Sequence, residues 1–250
     1  MSRLLALFLP AALTCLSSGA QNWKRIHDNA IVIDTHNDIL STALEDSVRI
    51  NSDLTGRTHS DLNRWKKGGL DVQVFSVWCD ESHANGRAYA RANEEIDTLN
   101  SWIRQNPDRM MLVRNSRELM KAVREKKLGC MIGVEGGHMI ENSLDKLDAL
   151  YRRGVRYMTL TWNNSTPWAS SALDESRDSV ESGHKGLSEF GKQVVLRMNE
   201  LGMLVDLSHV GEQTFWDALH TTRKPVLVSH SCAWALCPVF RNLKDDQIRA

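Results

Sequence analysis

The sequence predicts an α/β fold, a TIM-like (β/α)8 barrel truncated before its last strands. Three observations predict it. Apolar runs of strand length alternate with longer amphipathic stretches, the pattern of a parallel sheet with helices outside it. The runs are apolar along much of their length, as in strands covered on both faces. Five side chains with metal-ligand chemistry, His36, Asp38, Glu135, His209 and His230, each sit at the end of such a run. In a parallel sheet these ends converge on one face, where such folds keep their active sites. A barrel fits best because the five come from strands far apart in sequence and must meet around one axis.

Residues 1–20, at the start of the chain, read as a secretory signal: Arg3 gives a short basic start, and Leu4 to Leu16 is apolar but too short to span a bilayer. Ser17-Ser18-Gly19-Ala20 supplies small residues before a cut after Ala20. Two alternatives are a buried N-terminal helix and a lipoprotein cut before Cys15, which Ala12-Leu13-Thr14 fit poorly. Residues 21–250 then form the barrel domain, C-terminally incomplete. Strands are expected near Ala30–Asp34, Leu70–Trp78, Leu128–Glu135, Tyr157–Thr161, Leu204–Leu207 and Val226–Ser229, with a short piece at Met110–Val113. Helices are expected at Ala84–Gln105, Ser116–Lys126, Ser143–Arg153, Ser188–Leu201 and Glu212–Thr221, with Ser188 as a cap and Gly154 and Gly202 as stops. Ser41–Asp61 and Asn163–Gly186 read as long polar loops, the second placed to form a rim or lid. The count is six or seven strands, where closure needs eight.

The chain has 250 residues and a formal net charge of zero. Nothing in that balance points to nucleic acid or an anionic membrane surface, and no segment after the leader is long and apolar enough for a membrane helix. Beyond Cys15, the cysteines Cys79, Cys130, Cys232 and Cys237 read as buried thiols or one bridge, not a disulfide scaffold.

His36-Asn37-Asp38 places two ligands on one side of an extended strand. Gly136-Gly137 turns the chain sharply after Glu135, whose two oxygens can bridge two metals. Imidazole with carboxylate suits zinc, and is compatible with manganese, iron or cobalt. Two metals about 3.5–4 Å apart would hold a bridging hydroxide and polarise a carbonyl, which implies hydrolysis of an amide, ester or phosphoester. Taken singly, each histidine reads as a structural group, Asp38 as a turn cap and Glu135 as a surface acid. Their shared position at strand ends argues otherwise. His138 is placed either beside the ligands or packed under the loop. His27, His59, His83, His184 and His220 are placed in solvent or at the rim, and the tryptophans other than Trp162 as core or rim filler.

Ile33-Asp34-Thr35-His36-Asn37-Asp38, Gly133-Val134-Glu135-Gly136-Gly137-His138, Asp206-Leu207-Ser208-His209 and Val228-Ser229-His230-Ser231 resemble the membrane (renal) dipeptidase family, as do Gly154 to Thr161 and Arg241-Asn242. The resemblance covers about residues 25–250. It implies two zinc ions, one on His36 and Asp38, the other on His209 and His230, with Glu135 bridging and catalytic. It also implies that Arg241 binds the terminal carboxylate of a dipeptide substrate, a match for the guanidinium fork. Two departures stand out. Trp162 occupies the place of a family histidine that helps hold the reacting group, and indole offers one N–H and no acceptor. The family also continues past residue 250, through its last strands and an aspartate that handles the proton.

The first reading is therefore an exported zinc dipeptidase, periplasmic or extracellular, with a second copy of the chain as a candidate partner. The second is another amidohydrolase-type metal hydrolase; its usual first-strand H-x-H is H-x-D here. The third is a homologue that binds metal or peptide without turnover.

Overall fold

The computed structural model describes residues 20–80, 82, 86–178, 180, 183 and 185–250. The leader and Cys15, apart from Ala20, and also His83 and His184, lie outside the described residues.

Six parallel strands form one curled sheet: β1 (Ile33–Asp34), β2 (Val72–Val77), β3 (Met110–Leu112), β4 (Leu128–Glu135), β5 (Val155–Thr159) and β6 (Leu204–Asp206). The order is β1-β2-β4-β5-β6, with β3 against β4. Strand β4 is the pivot. β2 pairs along it from Gly129 to Val134, β3 takes Leu128 to Cys130, and β5 takes over from Ile132, with a register shift between Ile132 and Gly133. All six positions of β2 are buried, as expected of a strand sandwiched between layers.

Helices occupy the crossovers. α1 (Ala20–Asn29) precedes β1; α2 (Ile39–Asp46) and α3 (Leu62–Gly68) lead to β2. α4 (Ala88–Gln105), α5 (Ser116–Arg124) and α6 (Leu144–Arg152) precede β3, β4 and β5 in turn. α7 (Ala172–Ser176) and α8 (Glu189–Leu201) separate β5 from β6, and α9 (Glu212–Thr221) and α10 (Asp245–Arg249) come after it. Ser188 caps α8 as the sequence implies, its hydroxyl accepting from Gly191 N at 3.3 Å, and Gly202 ends that helix.

Four readings are corrected, the first being the Asn163–Gly186 loop, which carries helix α7, with Ser171 accepting from Asp174 N as its cap. The Ser41–Asp61 loop begins as helix α2, whose Leu40 and Ala43 are buried; its intervening polar residues hide the apolar spacing. Helix α3 was not foreseen, although Asp61 signals it by accepting from Asn63 N and Arg64 N. The Val226–Ser229 strand is reduced to a single parallel bridge between Leu227 and Asp206, made by Leu207 N to Leu227 O at 2.8 Å and Leu227 N to Val205 O at 2.9 Å. Past that bridge the backbone N–H of Ser229 turns to the Asp206 carboxylate instead of a ladder partner.

The two margins of the sheet meet on the C-terminal face. Thr35 Oγ1, just beyond β1, donates to Ser229 O at 2.5 Å. This contact brings the ends of the first and last extended segments together, with the rings of His36 and His230 stacked at a centroid distance of 3.7 Å.

Candidate metal centre

Each ligand-type side chain reaches this face by a local device. Asp38 stands at the N-cap of α2 yet makes no capping bond. Asn37 Oδ1 takes over by accepting from Ile39 N at 3.1 Å, which leaves the Asp38 carboxylate free to turn toward His36. Glu135 ends β4, and Gly136 comes next at φ +100, where a side chain would collide with the His138 ring. His209 adopts φ +63, a left-handed conformation costly for a residue with a Cβ. Two bonds to its carbonyl hold it there, from Ala172 N at 2.8 Å and Thr161 Oγ1 at 3.1 Å.

Glu135 is the hub, 3% exposed. Its Oε2 faces His36 Nε2 at 3.2 Å, and the same nitrogen faces Asp38 Oδ1 at 3.2 Å. Its Oε1 faces His209 Nε2 at 2.8 Å and His230 Nε2 at 3.2 Å, and those two nitrogens lie 3.0 Å apart. The carboxylate thus divides its oxygens between two groups of donors.

The far side of each imidazole is occupied too. Tyr157 donates its hydroxyl proton to Thr35 O at 3.2 Å, so its oxygen accepts from His36 Nδ1 at 3.0 Å. The Tyr157 ring passes over β4 at Gly133, where any Cβ would overlap it. Asn163 Oδ1 lies 3.1 Å from His209 Nδ1, and Ser229 Oγ lies 2.8 Å from His230 Nδ1. With each Nδ1–H so bonded, Nε2 is the nitrogen that all three histidines turn toward Glu135, and the one a cation would take.

The electrostatics differ around the hub. Burial works against the Glu135 charge, but the His209, His230 and His36 imidazoles set against it hold its carboxyl well below the usual range. Burial also opposes a charged His36, yet Asp38 and Glu135 outweigh it and raise its pKa to about 10. His209 goes the other way, lowered chiefly by burial. Three convergent imidazole nitrogens and two carboxylates form a donor set suited to a divalent cation with a preference for nitrogen and oxygen, zinc foremost.

A cleft of about 370 Å3 opens over this cluster, lined by His36, Asp38, Trp78, Glu135, Trp162, His209, His230 and Arg241. Every site residue expected from the sequence is therefore in one place. Arg241 donates from Nη1 to His230 O at 3.2 Å, while its buried Nε and Nη2 have no hydrogen-bond partner among the described residues. Trp162 meets Trp78 edge to face at 4.9 Å between ring centroids and lies 6.4 Å from the His209 ring.

Sequence reasoning missed Trp78 as a wall, although its place directly after β2 was a strand-end signal. His138 is packed beneath the loop, its Nε2 donating to Cys79 O at 2.9 Å. His27 bonds Gly68 O from the surface, and His59 and His220 are exposed. Cys79 and Cys130 are buried free thiols, and Cys232 and Cys237 are exposed and free.

Comparison with known proteins agrees with this picture. Residues 20–250 match the family described as membrane dipeptidase, peptidase family M19. The chain is 35% identical over 222 residues to Dipeptidase 3 of Mus musculus, covering 86% of this chain and 43% of that protein. It superposes with a TM-score of 0.77 at 25% identity on a metallo peptidase from Rhodobacter sphaeroides bound to a phosphinate mimic of the dipeptide L-Ala-D-Ala, covering 87% of this chain and 70% of the other. The fold is also shared with the probable dipeptidase PvdM from Pseudomonas aeruginosa, with a TM-score of 0.81 at 21% identity, covering 92% of this chain and 59% of the other. The chain thus spans less than half the length of the mouse relative, and its curled sheet corresponds to part of a TIM-like barrel.

Proposed function

The chain belongs to the membrane dipeptidase family, peptidase family M19, and from that premise we propose that it is a zinc-dependent dipeptidase with a binuclear site. His36 and Asp38 would hold one ion, His209 and His230 the other, with Glu135 shared between them. The observation that carries this reading is the division of the Glu135 carboxylate. One oxygen faces the His36 and Asp38 pair, and the other faces both His209 and His230. That split is the arrangement a carboxylate shared between two ions requires.

Zinc bound there supplies a water activated near neutral pH and a polarised scissile carbonyl. The chain's own residues do the rest. Glu135 stays ionised, because its three imidazole partners outweigh the cost of burying it. Arg241 offers two unspent donor nitrogens at the cleft, Nε and Nη2, a match for the carboxylate end of a dipeptide. Trp78 and Trp162 form an apolar wall that shields the reacting bond from bulk water, and the Trp162 N–H is a neutral donor where the family resemblance implies a histidine. The Rhodobacter sphaeroides peptidase carries a dipeptide mimic, which supports the substrate class.

The mature domain in this reading is residues 21–250, exported across a membrane. Its support is the apolar Leu4 to Leu16 segment with small residues after it. Among the described residues no helix is long and apolar enough to cross a membrane. A second reading, metal binding without turnover, is favoured by Trp162 alone. Chelator treatment separates the possibilities: the proposal expects dipeptide hydrolysis to vanish and to return with added zinc. Chelator-resistant hydrolysis would contradict it.

A further inference from the structure

Asp206 ends β6 and is fully buried. A buried carboxylate is costly unless its lone pairs are filled, and here five donors fill them. Oδ1 accepts from Ser208 N and Ser208 Oγ, each at 3.2 Å, and from Ser229 N at 2.9 Å. Oδ2 accepts from Thr159 Oγ1 at 2.7 Å and Ser229 Oγ at 2.6 Å. One side chain thereby ties together β5, the turn after β6 and the segment after the Leu227 bridge.

Both serines stand directly before a ligand-type histidine: Ser208 precedes His209, and Ser229 precedes His230. We propose that Asp206 is a positioning residue for the metal site, acting through the Ser208 and Ser229 hydroxyls to aim His209 and fix the protonation pattern of His230. This rests on the reading of both histidines as ligands.

Proton counting makes the case. An ionised carboxylate only accepts. The Ser229 hydroxyl has one proton, and the short bond to Asp206 Oδ2 takes it. Its oxygen must then accept from His230, so Nδ1 carries the hydrogen and Nε2 keeps its lone pair toward Glu135. The Ser208 hydroxyl, donating to Oδ1, accepts from His230 N at 3.1 Å, so the backbone of the same histidine is pinned as well. The bonds from Ser208 to Asp206 also set the entry into the left-handed turn at His209.

The isosteric change Asp206→Asn keeps the shape and can reverse the polarity. With its amide NH2 toward Ser229, the Ser229 hydroxyl keeps its proton and donates it as a hydrogen bond to His230 Nδ1, so the single hydrogen of the neutral ring sits on Nε2, where it blocks coordination. Two readouts test this on the whole chain: zinc affinity by chelator competition, and NMR detection of the protected His230 Nδ1–H. We expect Asp206→Asn and Ser229→Ala each to lower zinc affinity by about 10–100-fold, the usual range for outer-sphere partners, and to lose that N–H signal. Ser229→Thr, which keeps the hydroxyl, should restore both. Folded Asp206→Asn and Ser229→Ala variants with wild-type affinity and an intact signal would overturn the proposal. If Asp206→Asn fails to fold, the Ser229 pair decides alone. If the wild-type chain takes up no zinc, the ligand reading fails separately, and the N–H signal still decides the relay.

Discussion

His36 and His209 face opposite oxygens of Glu135, yet their surroundings push them in opposite directions. His36 lies beyond a two-residue edge strand whose Ile33 is 44% exposed, and it meets two carboxylates. Those charges raise its pKa to about 10. His209 lies in a buried turn beside a second imidazole, and burial lowers its pKa. Support differs as well. One hydroxyl, from Tyr157, steadies the His36 ring, while Asp206 orders the His209 and His230 side through five bonds. If these histidines are ligands, as proposed, the comparison shows two ways to prepare one. One half gathers negative charge and holds a proton that a cation must displace. The other fixes neutral lone pairs in advance.

The largest expected effect comes from the residue both halves share. Glu135→Gln keeps the shape and removes the charge. It should lower zinc affinity at both positions by more than about 100-fold, beyond the range of outer-sphere changes, as measured by metal titration. Loss at one position only would break the claim that the carboxylate is shared.

A second test concerns the crowding of acids on the His36 side. Glu95 on α4 is fully buried and accepts from Trp78 N at 2.7 Å and Arg91 Nε at 3.2 Å. Burial, with a smaller contribution from Asp38, pushes its pKa up to about 8 despite those partners. The folded chain therefore binds a proton that the unfolded chain has released above its ordinary pKa of 4.5. This group's stabilising effect is complete below pH 4.5 and fades as pH rises through 8, by on the order of a few kcal/mol. Denaturant titrations of metal-free protein across that window should show Glu95→Gln with a flatter pH dependence than wild type. An unchanged slope would refute this.

The smallest effect is expected at Tyr157. Tyr157→Phe removes the acceptor for His36 Nδ1 and should weaken one zinc position by about tenfold, the low end for an outer-sphere partner, at a stability cost of about 1 kcal/mol. Equal weakening at both positions would erase the distinction between the halves.

The cluster of ligand-type side chains was legible in the sequence because each ends an apolar run, and strand direction alone carries such residues to one face. Their supports were not. Tyr157, Asp206 and Ser229 lie in or beside apolar runs and look like ordinary residues of those segments. Only the register of β5 against β4, with Gly133 opposite Tyr157, reveals that a ring crosses there to reach His36. The expected strand at Val226–Ser229 failed for a related reason. Its apolar residues suggested a full ladder, but the Ser229 amide pairs with the Asp206 carboxylate. Trp78 had a visible strand-end position, yet its tryptophan type reads only as core or rim filler.

The most direct test of the shared-carboxylate account is elemental analysis of the purified mature chain, with dipeptide hydrolysis measured on the same sample. The account predicts about two zinc ions per chain, as expected of a two-metal hydrolase, together with turnover. One zinc per chain, with hydrolysis intact, would contradict it.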